Sequence, residues 1–240
     1  MEEGHTKAST ESPLFSDITK YRSLVGALLY IGICTGPDIA VSPSILGRSV
    51  CAPTEAEWAA AKRVVRYLLV TKKYRLEYND VNCNLVEYSD ADCAGDQKTR
   101  RFTTGLVFLF CGGAISWASR LQGSVTLSSM ESEYVALSET SQEAVWLLNL
   151  LRDLGEPCEG AVTILEDNQS CIKFVESERV NRRSKHIETK QNYVKELCDR
   201  NILQLKYSPT EEMIADLLTK PLGPIKIKKL IGTMGITSVP

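Results

Sequence analysis

Hydrophobic residues in the first third of the chain recur with a helical period. Dense Leu, Val and Ala over residues 21–33 predict one helix, and Pro37 opens a second apolar segment. Thr54 and Glu57 have the spacing of an N-terminal capping box, which predicts a third helix over residues 58–70. This part of the sequence therefore predicts a small helical module.

From Asn79 onward the pattern changes to short runs in which hydrophobic and polar residues alternate. Runs at 85–89, 104–110 and 114–118, separated by turns with Gly or basic residues, predict an antiparallel meander of three strands. Residues 128–153 then show the period of a long amphipathic helix. The remaining predicted elements are a strand at 162–166, a helix from 168, a helix at 188–200 and a strand at 202–207.

Together these elements predict an α/β fold. Three hairpin-linked strands followed by alternating helix and strand favour a mixed five-stranded sheet with helices on both faces. The polar segment before the first helix has little periodicity, and we expect it to be flexible. The predicted divisions are a flexible leader at 1–20, a helical module at 21–78, an α/β domain at 79–222 and a basic tail at 223–240.

Composition narrows the class of protein. The 240 residues are 43% hydrophobic, which is enough for a substantial core. The longest apolar stretch, 25–34, is too short to span a bilayer, and the first residues lack the features of a signal peptide. We therefore expect a cytoplasmic or nuclear protein that is not secreted and does not contact a membrane.

Eight cysteines without a C-x-x-C pair, and two histidines, argue against a zinc cluster and for reduced thiols.

Four acidic residues lie at positions suited to a shared metal site. They are Asp90 at the end of a predicted strand, Glu133 on the long helix, Asp167 between a strand and a helix, and Asp216 in a short helical pattern at 213–218. Strand ends and helix ends can converge on one edge of an α/β sheet. We therefore expect these four carboxylates to lie close together.

Carboxylates gathered in this way suit the hydrolysis of a phosphodiester with two metal ions. Mg²⁺ prefers hard oxygen ligands and keeps several waters, so a few carboxylates and a substrate phosphate complete its shell. Two such ions can activate a water on one side of the phosphate and stabilise the leaving oxygen on the other. We expect two Mg²⁺ ions, with Mn²⁺ as a substitute. Without metal, mutual repulsion should raise the pKa values of the acids.

Each acid also has a plain structural interpretation. Taken alone, either Glu131 or Glu133 is commonly a solvated helix residue. The two point about 200° apart on a helix, and Glu133 lies nearer the apolar face, which favours it over Glu131 as a ligand. Asp167 could cap the helix that follows it, and Asp216 taken alone resembles a surface acid. A strand-end aspartate such as Asp90 is commonly a turn former.

Basic residues form local clusters in a chain whose net charge is only −2. Such clusters are commonly solvated surface, although they are also the groups that hold nucleic-acid phosphates. His186 could approach a phosphate or serve the structure ahead of the 188–200 helix. The candidate nucleic-acid contacts are Lys98, Arg100, Arg101, Arg182, Arg183, Lys185 and His186, and a further basic cluster contains Lys226, Lys228 and Lys229.

Short motifs follow one another along most of the chain. They are YRSLVGALLY at 21–30, GPDIA at 36–40, AAKRVVRYL at 60–68, YSDAD at 88–92, TGLVF at 104–108, ISW at 115–117, SSMESEYVAL at 128–137, EDN at 166–168, KHI at 185–187 and ADLLTKP at 215–221. In this order they resemble the C-terminal part of a copia-type retrotransposon Pol polyprotein. The resemblance covers about residues 21–222. It implies that 79–222 is a ribonuclease H domain and that 21–78 is the end of a reverse transcriptase.

The resemblance also implies an activity and a role for each acid. The activity is Mg²⁺-dependent endonucleolytic cleavage of the RNA strand of RNA–DNA hybrids during reverse transcription. Within the motif at 88–92 the implied ligand is Asp90, which with Asp167 would flank the metals. Glu133 would lie nearer the RNA strand, and Asp216 would bind the second ion. The implied partners are the hybrid and the upstream reverse transcriptase region, which would carry the polymerase aspartates.

Two positions depart from the family pattern. Gly36 stands where the family has Arg, and Cys93 stands where it has Trp. Neither change removes a metal ligand, but both are compatible with a decayed or host-retained copy that binds nucleic acid or protein without cutting. A nuclease that cuts duplex DNA with the same sheet and acids is a further alternative.

Overall fold

The computed structural model describes residues 11–79, 83–92, 100–126, 128–156, 158–177 and 185–238, with side chains for all of these except 185–191. Its first helices are α1 (Ile18–Cys34), α2 (Val41–Leu46) and α3 (Glu55–Val70). At the start of α3, the Thr54 amide donates to Glu57 Oε2 at 2.7 Å, and the Glu57 amide donates to Thr54 Oγ1 at 3.3 Å. The predicted capping box is therefore confirmed.

A mixed five-stranded sheet forms the centre of the fold. After the short strand β1 (Tyr74–Leu76), its strands are β2 (Val86–Asp92), β3 (Thr103–Phe110), β4 (Gly113–Leu121), β5 (Val162–Glu166) and β6 (Leu203–Tyr207). Their spatial order is β4-β3-β2-β5-β6. β2, β3 and β4 pair antiparallel, whereas β5 runs parallel to both β2 and β6. The predicted fold class, an antiparallel meander continued by parallel strands, is confirmed.

Helices pack on both faces of this sheet. They are α4 (Ser129–Asp153), α5 (Gln169–Glu176), α6 (Lys185–Asp199), α7 (Asp216–Thr219) and α8 (Pro224–Thr233). One hydrophobic core joins α4, α5 and α6 to the strands, and a second core joins α7 and α8 to them. The neighbours Val107 and Phe108 on β3 belong to different cores, as the alternation of side chains along a strand requires.

Gly105 on β3 allows α7 to lie against the sheet. A Cβ atom at this position would lie 2.6 Å from Thr219 Cγ2 and 2.8 Å from the carbonyl oxygen of Ala215. A larger residue would therefore push the helix away. Because Gly105 pairs with Asp90 on β2, the close approach places α7 directly beside that acid.

The helical module packs against the edge of the sheet through side-chain hydrogen bonds. Trp117 Nε1 on β4 donates to the Gly32 carbonyl at 2.7 Å. Ser44 Oγ donates to the Ser119 carbonyl at 2.9 Å. These bonds join the helices before residue 71 to the sheet that follows them.

The predicted flexible leader extends too far. Residues 1–10 lie outside the described residues, but the ring of Phe15 stacks on that of Trp58, with centroids 4.8 Å apart. The Phe15 amide also donates to the Pro53 carbonyl at 2.8 Å. A single aromatic residue in a polar segment has no periodicity, so the sequence pattern did not reveal this contact.

The predicted basic tail at 223–240 contains regular structure. α8 is followed by β7 (Ile236–Ser238), which pairs antiparallel with β1. Leu230, Ile231 and Met234 are buried in the core against the sheet. The prediction considered only the lysines of this segment, although its apolar residues have the spacing of one helix face.

One pair of cysteines also differs from the expectation of reduced thiols, since Cys83 and Cys111 are joined by a disulfide. The described cysteines without a disulfide are Cys34, Cys51, Cys158, Cys171 and Cys198. None of the described helices combines the length and the apolar character needed to cross a bilayer.

A buried carboxyl group lies between the sheet and α4. Glu87 on β2 is fully buried, and within the described part of the chain neither of its side-chain oxygens has a hydrogen-bond partner. Burial raises the pKa of Glu87 well above its usual range, and the negative charge of Glu143 raises it further. The folded chain therefore favours the neutral form of Glu87.

We expect the Glu87→Gln variant to be more stable than the wild type above neutral pH. The pKa of Glu87 is higher in the folded chain than in the unfolded chain, so the wild type loses stability as pH rises above the unfolded pKa. The neutral amide removes that loss, so the free energy of unfolding at about pH 8 should be higher in the variant than in the wild type. Urea denaturation at several pH values measures it. Glu156→Gln, at an exposed position, is the control, and equal pH slopes in Glu87→Gln and wild type would contradict the account.

Candidate metal centre

Three of the four predicted acids meet at one edge of the sheet. Asp90 lies near the end of β2, Glu133 lies in the second turn of α4, and Asp167 directly follows β5. Each offers one carboxylate oxygen, and these atoms all lie within 4.8 Å of one another. β2 and β5 are parallel neighbours, so their ends reach the same edge, and α4 crosses it.

Asp90 is 3% exposed. Its Oδ2 accepts a hydrogen bond from Thr219 Oγ1 at 2.5 Å. Burial raises the pKa of Asp90 to about 7, the Lys220 ammonium acts in the opposite direction, and the charge of Asp216 adds to the rise. Near neutral pH this carboxyl group is therefore divided between its charged and neutral forms.

Glu133 is held by the end of β2. Its Oε2 accepts a hydrogen bond from the Ala91 amide at 2.7 Å. Burial raises the pKa of Glu133 to about 11, and the charges of Glu166 and Asp90 contribute to the rise. Glu131 is also buried, but it does not belong to the three-residue group, in agreement with the helical geometry that favoured Glu133.

Asp167 does not cap the helix that follows it. Asn168 does so, because its Oδ1 accepts from the amides of Ser170 at 3.0 Å and Cys171 at 3.1 Å. Asp167 Oδ2 instead accepts from Thr210 Oγ1 at 2.7 Å. The capping alternative is therefore wrong, and the Asp167 carboxylate faces the other two acids.

Glu166 is a fourth acid of this edge that the sequence analysis missed. It is fully buried, and its Oε1 accepts from the Asn168 amide at 3.0 Å. Burial raises the pKa of Glu166 well above its usual range, and the charges of Asp90 and Asp167 add to the effect. The alternation along β5 was an available signal, because Glu166 lies on the same face as the buried Val162 and Ile164.

Asp216 is not part of the acidic group. It is fully buried on α7, and Lys220 Nζ lies 2.5 Å from its Oδ1. The Lys226 ammonium contacts its other oxygen. Lys220 Nζ is also 3.8 Å from Asp90 Oδ2, so Asp216 and its two lysines lie beside the group without joining it. The predicted role of Asp216 as a direct metal ligand therefore stays a prediction.

The predicted nucleic-acid contacts are only partly described. Arg100 is exposed, and Arg101 is half-buried just before β3. Lys98, Arg182 and Arg183 lie outside the described residues, as do the side chains of Lys185 and His186. Their role in binding nucleic acid therefore stays a prediction.

The donor set of the three acids determines which ions it suits. Asp90, Glu133 and Asp167 offer only carboxylate oxygens, and the group contains no histidine or cysteine among the residues that the structure describes. Hard oxygen donors suit Mg²⁺ and Mn²⁺ better than a thiolate-bound metal. The three side chains therefore fit a divalent cation of this class, which would also offset their mutual repulsion.

Comparisons with known proteins relate the chain to mobile elements. It is 38% identical over 215 residues to the retrovirus-related Pol polyprotein from transposon TNT 1-94 of Nicotiana tabacum. The aligned region covers 88% of this chain and 16% of that protein. It is also 48% identical over 128 residues to secreted RxLR effector protein 161 of Plasmopara viticola. This aligned region covers 53% of this chain and 90% of that protein.

Among solved structures, the chain is similar to a ribonuclease H1 in complex with an RNA/DNA hybrid. The similarity covers 57% of this chain and 94% of that one, at 17% identity and a TM-score of 0.42. No protein-family model matches the chain.

The family follows from the sequence similarity to the tobacco polyprotein, which extends over both the helical module and the sheet. The fold agrees with it, since the meander, the two parallel strands and the flanking helices have the ribonuclease H-like arrangement that the motifs implied. The chain spans about 16% of that relative. It belongs to the copia-type retrotransposon Pol polyprotein family, and corresponds to a region that contains the ribonuclease H-like domain.

Proposed function

We propose that this chain hydrolyses the RNA strand of RNA–DNA hybrids with the help of a divalent metal ion. One observation carries the proposal: Asp90, Glu133 and Asp167 come from three separate elements, yet their carboxylate oxygens lie within 4.8 Å of one another. Family membership and the ribonuclease H-like fold support the same activity. In this proposal residues 21–78 are the end of a reverse transcriptase, and the upstream polymerase region is a natural partner.

Asp90, Glu133 and Asp167 would hold the metal ion, and neighbouring groups orient them. When bound, a divalent ion supplies positive charge for the phosphate and lowers the pKa of a bound water. The Ala91 amide directs Glu133, Thr219 Oγ1 directs Asp90 and Thr210 Oγ1 directs Asp167. Hydrogen bonds of this kind fix the orientation of the ligand oxygens before a metal ion binds.

Recognition of the hybrid would rest on contacts to its sugars and phosphates. A protein distinguishes RNA from DNA by contacts to 2′-hydroxyl groups across the wide minor groove. Basic side chains position the duplex through its phosphates without reading its sequence. Arg100 and Arg101, at the start of β3, and the basic segment at 182–185 are the candidates for this second task.

Metal binding at this site must displace protons. Burial and like charges raise the pKa of Asp90 to about 7 and that of Glu133 to about 11, so both acids carry protons below neutral pH. A carboxyl group must lose its proton before it ligates a metal. The affinity for metal should therefore rise as pH rises.

We expect Mn²⁺ affinity to increase by about tenfold per pH unit for each proton displaced, between about pH 5.5 and 7.5. Isothermal titration calorimetry in buffers with different ionisation enthalpies measures both the affinity and the number of protons released. The Asp90→Asn variant should bind more weakly and show a shallower pH dependence. Equal affinity at both ends of this pH range would contradict the protonated state of the site.

Replacement of Asp167 by Asn should abolish cleavage and leave the fold intact. The half-exposed amide can still accept from Thr210, but it lacks the charge that a metal ligand provides. We expect the rate on a labelled RNA–DNA hybrid with Mg²⁺ to fall by at least about a hundredfold. Asp153→Asn, at an exposed position on α4, is the matched control. Retained activity in Asp167→Asn would remove this residue from the site.

A second candidate is a module that binds nucleic acid or protein without cutting. The 48% identity to a protein named as a secreted effector, over 90% of its length, favours it, because this sequence type also occurs outside Pol polyproteins. Absence of cleavage by folded protein with bound metal would support this candidate. The same assay with a duplex-DNA substrate distinguishes both candidate functions from a DNA nuclease. A DNA nuclease would cut duplex DNA, because it needs no 2′-hydroxyl group.

A further inference from the structure

Two ammonium groups surround the buried acid beside the metal centre. Lys220 Nζ lies 2.5 Å from Asp216 Oδ1, and Lys226 Nζ contacts Asp216 Oδ2. Both carboxylate oxygens are therefore already paired with cations. The lysine side chains are themselves only 34% and 31% exposed, so this carboxylate is the counter-ion of two partly buried cations.

Local structure holds both lysines in place. Lys220 is four residues after Asp216 and directly follows α7, which brings its side chain back to the start of that short helix. Lys226 lies in α8, and its ammonium also donates to the Thr210 carbonyl at 3.2 Å. Thr210 in turn donates to Asp167. The lysines are thus part of the framework that orients the metal ligands.

Lys220 is also close enough to act on the acidic group. Its Nζ is 3.8 Å from Asp90 Oδ2, so one ammonium serves both Asp90 and Asp216. A second divalent ion between these two acids would lie against this cation and be repelled by it. It would also leave two partly buried ammonium groups without their carboxylate.

We propose that the Lys220 ammonium, supported by Lys226, takes the place of a second metal ion, so that the site binds a single divalent ion at Asp90, Glu133 and Asp167. This inference rests on the proposed function for the identity of the first ion. A phosphate at the site would then meet one metal ion on one side and a protein cation on the other. Lys220 is in this account a positioning residue that neutralises Asp90 and Asp216.

The number of bound ions tests this inference without reference to cleavage. Mn²⁺ titration followed by electron paramagnetic resonance should give one ion per wild-type chain. The Lys220→Met/Lys226→Met double variant should bind a second ion, because Asp216 then lacks its partners. Lys220→Arg retains the charge and should bind one ion, and Lys228→Met, at an exposed position of α8, should also bind one.

A single substitution tests the same inference if the double variant does not fold. Lys220→Met removes the cation 3.8 Å from Asp90 and keeps Lys226, so its first Mn²⁺ should bind about tenfold more tightly than in wild type. Circular dichroism confirms that each variant is folded. Unchanged affinity in folded Lys220→Met would count against the proposal.

The outcomes separate this inference from the proposed function. Two ions bound to wild type would overturn the inference, and would leave the proposed function intact if the hybrid is cut. One ion bound to wild type without cleavage of the hybrid would overturn the proposed function, but the inference of a single metal ion would hold. No ion bound at millimolar Mn²⁺ would overturn both, and a folded double variant that still binds one ion would overturn the inference alone.

Discussion

The structure depends on the burial of several acidic side chains at one edge of the sheet. Asp90, Glu133 and Glu166 are almost fully withdrawn from water, and burial raises the pKa of each. Isolated buried carboxylates are unfavourable, so such a site needs protons, cations or hydrogen-bond donors. The neighbouring elements supply these: the Ala91 amide, Thr219 and the Lys220 ammonium.

The fold was predictable wherever a pattern repeats locally. The period-two runs gave the strands of the sheet, and the capping box at Thr54 located α3. The pairing of β1 with β7 left no such signal, because each strand has three residues and the partners are far apart in sequence. The disulfide of Cys83 with Cys111 depends in the same way on which segments the fold brings together.

The site was predictable as far as strand ends and helix faces define it. Asp90, Asp167 and Glu133 follow from those positions and from the family motifs. Glu166 could have been found from the alternation of β5, whereas the pairing of Asp216 with Lys226 could not. That contact requires α8 to fold back over α7, which only tertiary packing determines. A motif can thus identify an acid correctly and still leave its partner unknown.

A crystal structure of the protein with Mn²⁺, in which an anomalous difference map locates the bound ions, tests the central claim most directly. The account predicts one strong peak among the carboxylate oxygens of Asp90, Glu133 and Asp167, with Lys220 and Lys226 still paired with Asp216. Absence of a peak between the three acids would contradict the metal centre itself. A second peak on Asp216, with the lysines displaced, would contradict the role given to those two ammonium groups.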